Sequence, residues 1–177
     1  FGTILLTPFF GNLYDRRGKG ATIMLVGSFM IVAVHLLFAV PAFTNWLLAL
    51  VLIITLGIAF SLVPSAMWPS VPKIIPENKL GTAYALIFWI QNWGLMGVPY
   101  LIGKVLDNYC VVDNATTVAE EITGVVAPET VTRVAYDYTV PMLIFAGLGV
   151  LSILFAFLLL RENKKMGYGL QQPNIRK

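Results

Sequence analysis

Charge is what this 177-residue sequence has least of: Asp, Glu, Lys and Arg together make up 12% of it, whereas 58% of its residues are hydrophobic. Soluble domains carry about 25% charged residues, so the charges present are too few to cover a surface that faces water. The single cysteine, Cys110, has no partner for an internal disulfide, which excludes a disulfide-stapled secreted module. The apolar composition excludes an intrinsically disordered chain, and the net charge of +3 excludes a basic nucleic-acid-binding domain. The composition therefore indicates a membrane protein.

Long charge-free stretches predict the membrane spans, because a helix that crosses the hydrocarbon layer needs about 20 apolar residues. Phe1 is not a methionine and stands inside an apolar run, so we expect the chain to be a fragment whose first span is the back half of a helix. The sequence thus predicts an all-α membrane protein with about five transmembrane helices. The spans are predicted at 1–14, 20–44, 46–72, 79–104 and 138–160, with an outer loop at 107–137 and a tail at 161–177.

The positions of Lys and Arg predict which side of the membrane each loop faces, because cytoplasmic loops retain positive charge. Ten of the twelve basic residues fall in the first and third loops and in the tail, and this side carries +7 against −4 on the other. The basic side is therefore predicted to be cytoplasmic, and the C-terminus lies on it. The outer loop contains Asn114-Ala115-Thr116, which is either a glycosylation site or an unmodified triplet in an acidic loop.

The first cytoplasmic loop is short and rich in glycine and charge: residues 11–19 are Gly-Asn-Leu-Tyr-Asp-Arg-Arg-Gly-Lys. A sharp turn between two spanning helices favours a positive φ at Gly18, and Gly11 allows helices to approach closely. Asp15 stands among basic side chains at a helix end, where it can accept charge-assisted hydrogen bonds or face the N-terminus of another helix. By these criteria alone the run is an ordinary basic loop.

The loop resembles the signature G-x-x-x-D-R-x-G-[RK] of the major facilitator superfamily. A second run, Pro-Glu-x-x-x-Gly-x-Ala at residues 76–83, is similar to the start of that family's eleventh helix, and its small residues favour tight packing. Because only four spans follow the loop, the resemblance implies helices eight to twelve, a partial C-terminal six-helix bundle of a major facilitator fold whose N-terminal half is missing. It also implies a cytoplasmic gating motif that latches against that half. The motif comprises Gly11, Asp15, Arg16, Gly18, Lys19, Glu77 and Gly81.

A closer resemblance is to the branch of this superfamily that contains the lysosomal dipeptide uniporter and its bacterial relatives. It implies a carrier of a small polar organic solute such as a dipeptide, in a bacterial inner membrane or a eukaryotic lysosomal or plasma membrane. The runs that match are Ala-Met-Trp-Pro (66–69), Val-Pro (71–72), Ile-Pro-Glu (75–77), Leu-Gly-Thr-Ala-Tyr (80–84) and Ile-Gln-Asn-x-Gly-Leu (90–95).

The predicted span 46–72 carries three prolines between positions 64 and 72. A proline inside a helix removes a hydrogen bond and kinks it, and helices that line a solute site are often interrupted, so this span is the predicted gating helix. Trp68 either contacts a solute or anchors the helix at the membrane interface, where Trp is enriched. Ser61 and Ser65 either line the substrate cavity or bond back to their own helix.

The predicted span 79–104 carries a second polar group of residues. Tyr84, Phe88 and Gln91 are spaced by four and three residues, which places them on one helix face, and Asn92 is adjacent. Uncharged amides in a membrane must find partners, either in a neighbouring helix or in a water-filled cavity that holds a polar solute. These four residues are therefore substrate-cavity candidates.

His35, the only histidine, lies within a span and either relays a proton or is a neutral, hydrogen-bonded side chain. The complete spans contain no Asp, Glu or Lys in their interiors, so the ionic partners of a charged solute must lie elsewhere. No nucleophile and base pair or group of metal ligands is present. We therefore predict no enzyme activity, no cofactor and no metal site.

Two functions follow as hypotheses. The first is solute transport by alternating access, with a small-molecule substrate, the missing N-terminal half and the lipid bilayer as partners and no nucleic acid. The second is a non-transporting scaffold or receptor-like protein that keeps the fold and binds a partner through its acidic outer loop.

Overall fold

The computed structural model describes residues 2–43, 45–112 and 135–175. Within them the chain forms α1 (Gly2–Arg17), α2 (Gly20–Phe38), α3 (Trp46–Ile74), α4 (Leu80–Tyr109) and α5 (Thr139–Met166). A 3-10 turn, Glu77–Lys79, leads into α4. Two-residue strands, β1 (Val111–Val112) and β2 (Ala135–Tyr136), pair antiparallel between α4 and α5. Most of the predicted outer loop, including Asn114, lies outside the described residues.

In the described part of the chain, four segments are long and apolar enough to cross a membrane: α2, α3, the stretch Glu77–Tyr109 and α5. The remaining helix, α1, has 16 residues, which is about 24 Å at 1.5 Å per residue. Because a helix satisfies its backbone hydrogen bonds internally, it is the form that hydrocarbon tolerates. The prediction of an all-α membrane protein is confirmed.

Local capping determines where the helices begin and end. Asn45 precedes α3, and its side-chain oxygen accepts a hydrogen bond from the backbone N–H of Leu47 at 2.9 Å. Asp137 does the same at the start of α5, where it accepts from the Thr139 N–H at 2.9 Å. At the other end of α5, Gly167 has a φ of +71°, a conformation that glycine adopts without steric penalty.

Four helices extend beyond their predicted spans: α1 and α3 by three and two residues, and α4 and α5 by five and six. α4 continues past Lys104 to Tyr109, and α5 continues past Arg161 to Met166. A charge-free stretch measures the part of a helix that lies in hydrocarbon, whereas the helix itself continues into the headgroup and water layers. The first six residues of the predicted tail are therefore helical.

The bundle is centred on α2, which packs against both α3 and α5, while α1 packs on α3. Small residues allow close contact: a Cβ on Gly27 would lie 2.8 Å from a valine methyl of α3, and one on Gly149 would lie 2.7 Å from a valine methyl of α2. The hydroxyl groups of Ser28 and Ser152 approach to 2.7 Å between α2 and α5. Membrane helices associate through such close approaches and hydrogen bonds.

The fourth helix is the exception to this packing. α4 contacts α3 and α5 only sparsely, and none of its residues is buried. Most of the surface of α4 is therefore open among the described residues, and α4 carries four of the seven predicted cavity residues.

Candidate functional site

The loop between α1 and α2 turns within two residues. Gly18 and Lys19 have φ values of +68° and +61°, so both adopt the left-handed conformation. The prediction of a positive φ at Gly18 is confirmed. Lys19 adopts the same region at a steric cost of about 1 kcal/mol that glycine avoids. The Gly18 N–H donates to the Tyr14 carbonyl at 2.7 Å and so closes the end of α1.

Asp15 is bound by the C-terminal segment of the chain and not by its basic neighbours. Its Oδ1 accepts a hydrogen bond from the Asn174 side-chain amide at 2.7 Å, and its backbone carbonyl accepts from the N–H groups of Asn174 and Ile175 at 3.0 Å. Arg16 and Lys19 are exposed, and among the described residues neither pairs with Asp15. Adjacent residues of a helix do not face each other, which explains why Arg16 does not bond Asp15.

The other predicted gating residues face open space. A Cβ on Gly11 or Gly81 would meet no atom within 4 Å, so the close packing expected there does not occur among the described residues. Glu77, the first residue of the 3-10 turn, is exposed. Within the described part of the chain, no hydrogen bond joins Glu77 to the loop.

Three of the predicted cavity residues form an aromatic cluster between α3 and α4. The Trp68 ring lies 5.1 Å from the Phe88 ring, nearly parallel to it at 29°, and 5.8 Å from the Tyr84 ring. Trp68 and Tyr84 are half-buried, whereas Phe88 is exposed. The spacing that placed Tyr84 and Phe88 on one face of α4 therefore also brings them to Trp68.

A proline of α3 explains how Tyr84 is held. Pro72 has no N–H, so the carbonyl of Trp68, four residues earlier, loses its helical partner. The Tyr84 hydroxyl donates a long hydrogen bond of 3.4 Å to this carbonyl. The three prolines do not interrupt α3, which is helical from Trp46 to Ile74, because each removes only one N–H from the ladder.

The two serine candidates of α3 do not face an open cavity. Ser61 and Ser65 are buried, and their hydroxyls donate to the carbonyls of Gly57 and Leu62, each at 2.8 Å. Back-bonding to the same helix is one of the two alternatives that the sequence left open. Neither hydroxyl has a proton to donate outward in this arrangement.

Gln91 and Asn92 differ in their hydrogen bonding. The Asn92 amide nitrogen donates to the Phe88 carbonyl at 2.8 Å within α4. The Gln91 amide is exposed and has no hydrogen-bond partner among the described residues. Gln91 lies about 16 Å along the axis from the start of α4, close to the middle of a roughly 30 Å hydrocarbon layer.

A shallow groove of about 250 Å³ lies on another face of α4, where Asn92 meets Trp89, Trp93 and Met96. The Trp89 and Trp93 rings contact edge-to-face with centroids 6.1 Å apart. Asn92 lines this groove, and its amide bonds the carbonyl of Phe88 on the neighbouring face. The three groove residues were not predicted as site residues, although their spacing of four, three and seven was a signal for a common face.

His35 packs within the bundle and is partly exposed. Its Nδ1 lies 2.8 Å from the Ile31 carbonyl, and its ring lies 5.4 Å from the Phe145 ring of α5. Because a carbonyl oxygen only accepts, Nδ1 carries the proton and Nε2 remains available. Proton relay by His35 stays a prediction.

Comparison with known proteins gives the family. The Major Facilitator Superfamily profile matches residues 1–107. The lysosomal dipeptide transporter MFSD1 of cattle (Bos taurus) is 34% identical over 102 residues, which are 58% of this chain and 21% of that protein. The human (Homo sapiens) MFSD1 is 33% identical over 103 residues, with the same coverage.

A bacterial relative is similar over a stretch of about the same length. The inner membrane transport protein YdiN of Escherichia coli (strain K12) is 29% identical over 107 residues, which are 60% of this chain and 24% of that protein. The chain spans about a fifth to a quarter of the length of these curated relatives. No solved structure matches it. Since the profile covers more than half of the chain, the chain belongs to the major facilitator superfamily.

Proposed function

We propose that the chain is part of a carrier that moves a small polar organic solute, such as a dipeptide, across a membrane by alternating access. Family membership supports transport, and the relatives named as dipeptide transporters support the solute class. The observation that carries the proposal is the Gln91 amide, which is exposed in the middle of α4 with no partner among the described residues. An amide at that depth needs a polar partner, which a solute in a water-filled cavity supplies.

The chemistry of the α4 face suits a peptide-like solute. A primary amide presents both a donor and an acceptor, so Gln91 can bond the N–H and the C=O of one peptide group. The Trp68 and Phe88 rings add an apolar surface for side chains or for the faces of peptide planes. Tyr84 is tied to the Trp68 carbonyl and therefore positions this wall.

The charged ends of a dipeptide need other partners. The helix interiors of α2 and α3 and the first 24 residues of α4 contain no Asp, Glu, Lys or Arg before Lys73 and Lys104. The proposal therefore assigns the ammonium and carboxylate groups to a facing N-terminal half. On the basic side, which we take to be cytoplasmic, Asp15 and the start of α4 form latches with that half by charge against helix dipole.

Flux measurements on the intact protein in liposomes test the proposal, with radiolabelled alanyl-alanine as the probe. Loss of one hydrogen bond to the solute corresponds to about 1 kcal/mol, so Gln91→Ala is expected to lower flux about fivefold. Trp68→Ala is expected to lower it at least as much, because it removes the ring on which Phe88 packs.

Trp93→Ala is the matched control, since Trp93 lies on the other face of the same helix, in the groove. Its flux is expected to stay within twofold of the parent. Parent-like flux in Gln91→Ala would remove Gln91 from the site. Absence of flux in the parent, together with a protein that co-purifies through residues 115–133, would instead favour the scaffold hypothesis.

A further inference from the structure

The last described residues of the chain, 168–175, lie across the basic ends of the helices, and we call them the strap. Leu170 of the strap is fully buried. Its N–H donates to the side-chain oxygen of Asn163 on α5 at 3.0 Å. The strap is thus docked on the bundle immediately after α5 ends.

Backbone and side-chain bonds anchor the first part of the strap to three helices. The Lys19 and Gly20 N–H groups donate to the Gln171 and Leu170 carbonyls at 3.1 and 2.9 Å. The Gln171 side chain bonds the Thr22 hydroxyl at 3.0 Å. From α3, the Lys73 ammonium donates to the strap carbonyls of Gly169 and Gln172, at 3.3 and 3.0 Å.

Two glycines that flank Lys19, Gly18 and Gly20, fit this anchor closely. A Cβ on Gly18 would lie 2.5 Å from the Gln171 carbonyl oxygen, and one on Gly20 would lie 3.2 Å from the Leu170 carbonyl oxygen. The first distance is far below van der Waals contact, so the strap leaves no room for a side chain at Gly18. The loop is therefore shaped to receive the strap as well as to turn.

The end of the strap differs from its anchor. Asn174 and Ile175, which we call the tip, are exposed, and the tip bonds Asp15 through one neutral amide and two backbone N–H groups. An exposed hydrogen bond contributes only about 1 kcal/mol of net free energy, because water can replace it. The second carboxylate oxygen of Asp15 has no partner among the described residues.

We propose that the strap is a built-in competitor for Asp15. Its anchor stays on the bundle, while its tip occupies Asp15 until a cation or a helix N-terminus of the facing half takes the carboxylate. Such a partner binds a carboxylate more strongly than a neutral amide does, so it displaces the Asn174 amide of the tip from the carboxylate when the basic side closes. While the tip is bound, the Asp15 carboxylate does not contact the facing half, so the latch is open. The tip therefore sets how readily the latch closes. This inference rests on the proposed function for the existence of the latch.

Spin-label mobility in the intact protein tests whether the tip is docked. A label on Ile175→Cys, in a Cys110→Ala background, is expected to be largely immobile. Asn174→Ala removes one of the tip's bonds to Asp15 and is expected to raise the ratio of mobile to immobile label about fivefold, the effect of losing one hydrogen bond. Gln172→Ala is the matched control, because Gln172 joins the anchor through its backbone. Its ratio is expected to equal that of the parent.

A double-mutant cycle on alanyl-alanine flux tests the competition. Asn174→Ala frees the Asp15 carboxylate for the latch. The flux of Asn174→Ala is therefore expected to differ about fivefold, in either direction, from the flux of Gln172→Ala. In an Asp15→Ala background the same substitution is expected to change nothing, because both act through one carboxylate. A tail that only stabilises the fold would give the same loss in both backgrounds.

The outcomes separate the strap from the transport proposal. Absence of flux in the parent contradicts the proposed function, whereas the label still reports whether the tip is docked. Equal label mobility in the parent and in Asn174→Ala overturns the strap proposal. An Asn174→Ala flux that matches Gln172→Ala, or an effect that persists in the Asp15→Ala background, overturns it as well.

Discussion

At the scale of single residues, two separate physical reasons favour glycine at position 18 of the loop. Its φ of +68° is a local requirement of the turn, which the short loop predicts. The contact of 2.5 Å between a Cβ at this position and the Gln171 carbonyl is a tertiary requirement, set by residues at the other end of the chain. The two reasons act together, so substitution at Gly18 affects the turn and the strap at once.

Gly18→Ala is therefore expected to destabilise the protein by about 2 kcal/mol or more, from left-handed strain and from overpacking against the strap. Gly147→Ala in α5 is the matched control, because a Cβ there meets no atom within 4 Å and alanine favours helix. The thermal midpoint of the detergent-solubilised protein measures both. A Gly18→Ala midpoint equal to or above that of Gly147→Ala would contradict the strap contact.

Side chains on one helix could be predicted together from the sequence, while partners far apart in the chain could not. Tyr84 and Phe88 follow from helical spacing, and Trp68 from its place beside the prolines. Asn174 bonds Asp15 across 159 residues, and no periodicity or composition connects the two positions. The serines were assigned by residue type, but a hydroxyl that bonds its own helix cannot be distinguished in sequence from one that lines a cavity.

At the scale of elements, the start of α5 combines a cap and a titratable group. Hydrogen bonds from the Thr139 side chain and backbone lower the pKa of Asp137 below its ordinary value, because they favour the ionised carboxylate. A group with a lowered pKa in the folded state contributes stability above its unfolded pKa, about 3.9, and loses it as pH falls through the folded value.

Asp137→Asn keeps a capping side chain but removes the charge. The thermal midpoint of the parent minus that of this variant is expected to be constant above about pH 5 and to fall at more acidic pH. A scan of the solubilised proteins from about pH 6 to pH 3 measures it. A difference that stays constant through the acidic range would show that the Thr139 bonds do not depend on the ionised carboxylate.

Helix lengths and proline effects show the limit of prediction at this scale. The charge-free stretches located the described spans, but α4 and α5 extend into charged sequence because helices continue beyond hydrocarbon. The prolines of α3 predict a kinked gating helix; the helix is continuous from Trp46 to Ile74, and one freed carbonyl is bonded by Tyr84. The donor that bonds the carbonyl freed by Pro72 lies in another element, so the sequence of α3 alone does not indicate it.

At the scale of the whole molecule, the strap shows which helix ends lie together. It bonds the end of α1, the start of α2 and the end of α3, and it follows directly from the end of α5. Consecutive helices therefore run in alternating directions. The assignment of a charge of +7 to one side of the membrane and −4 to the other assumes this alternation. The ribbon of β1 and β2 joins the opposite ends of α4 and α5.

This arrangement makes the membrane orientation testable with two single cysteines in a Cys110→Ala background. Lys165→Cys lies at the basic end of α5, and Tyr109→Cys lies at the opposite end of α4, where Tyr109 is 80% exposed. Because positive charge is retained in the cytoplasm, an impermeant maleimide applied to intact cells is expected to label Tyr109→Cys only. Permeabilised cells are expected to label both, which controls for reactivity. Labelling of Lys165→Cys alone in intact cells would reverse the orientation and move the Asp15 latch to the outer face.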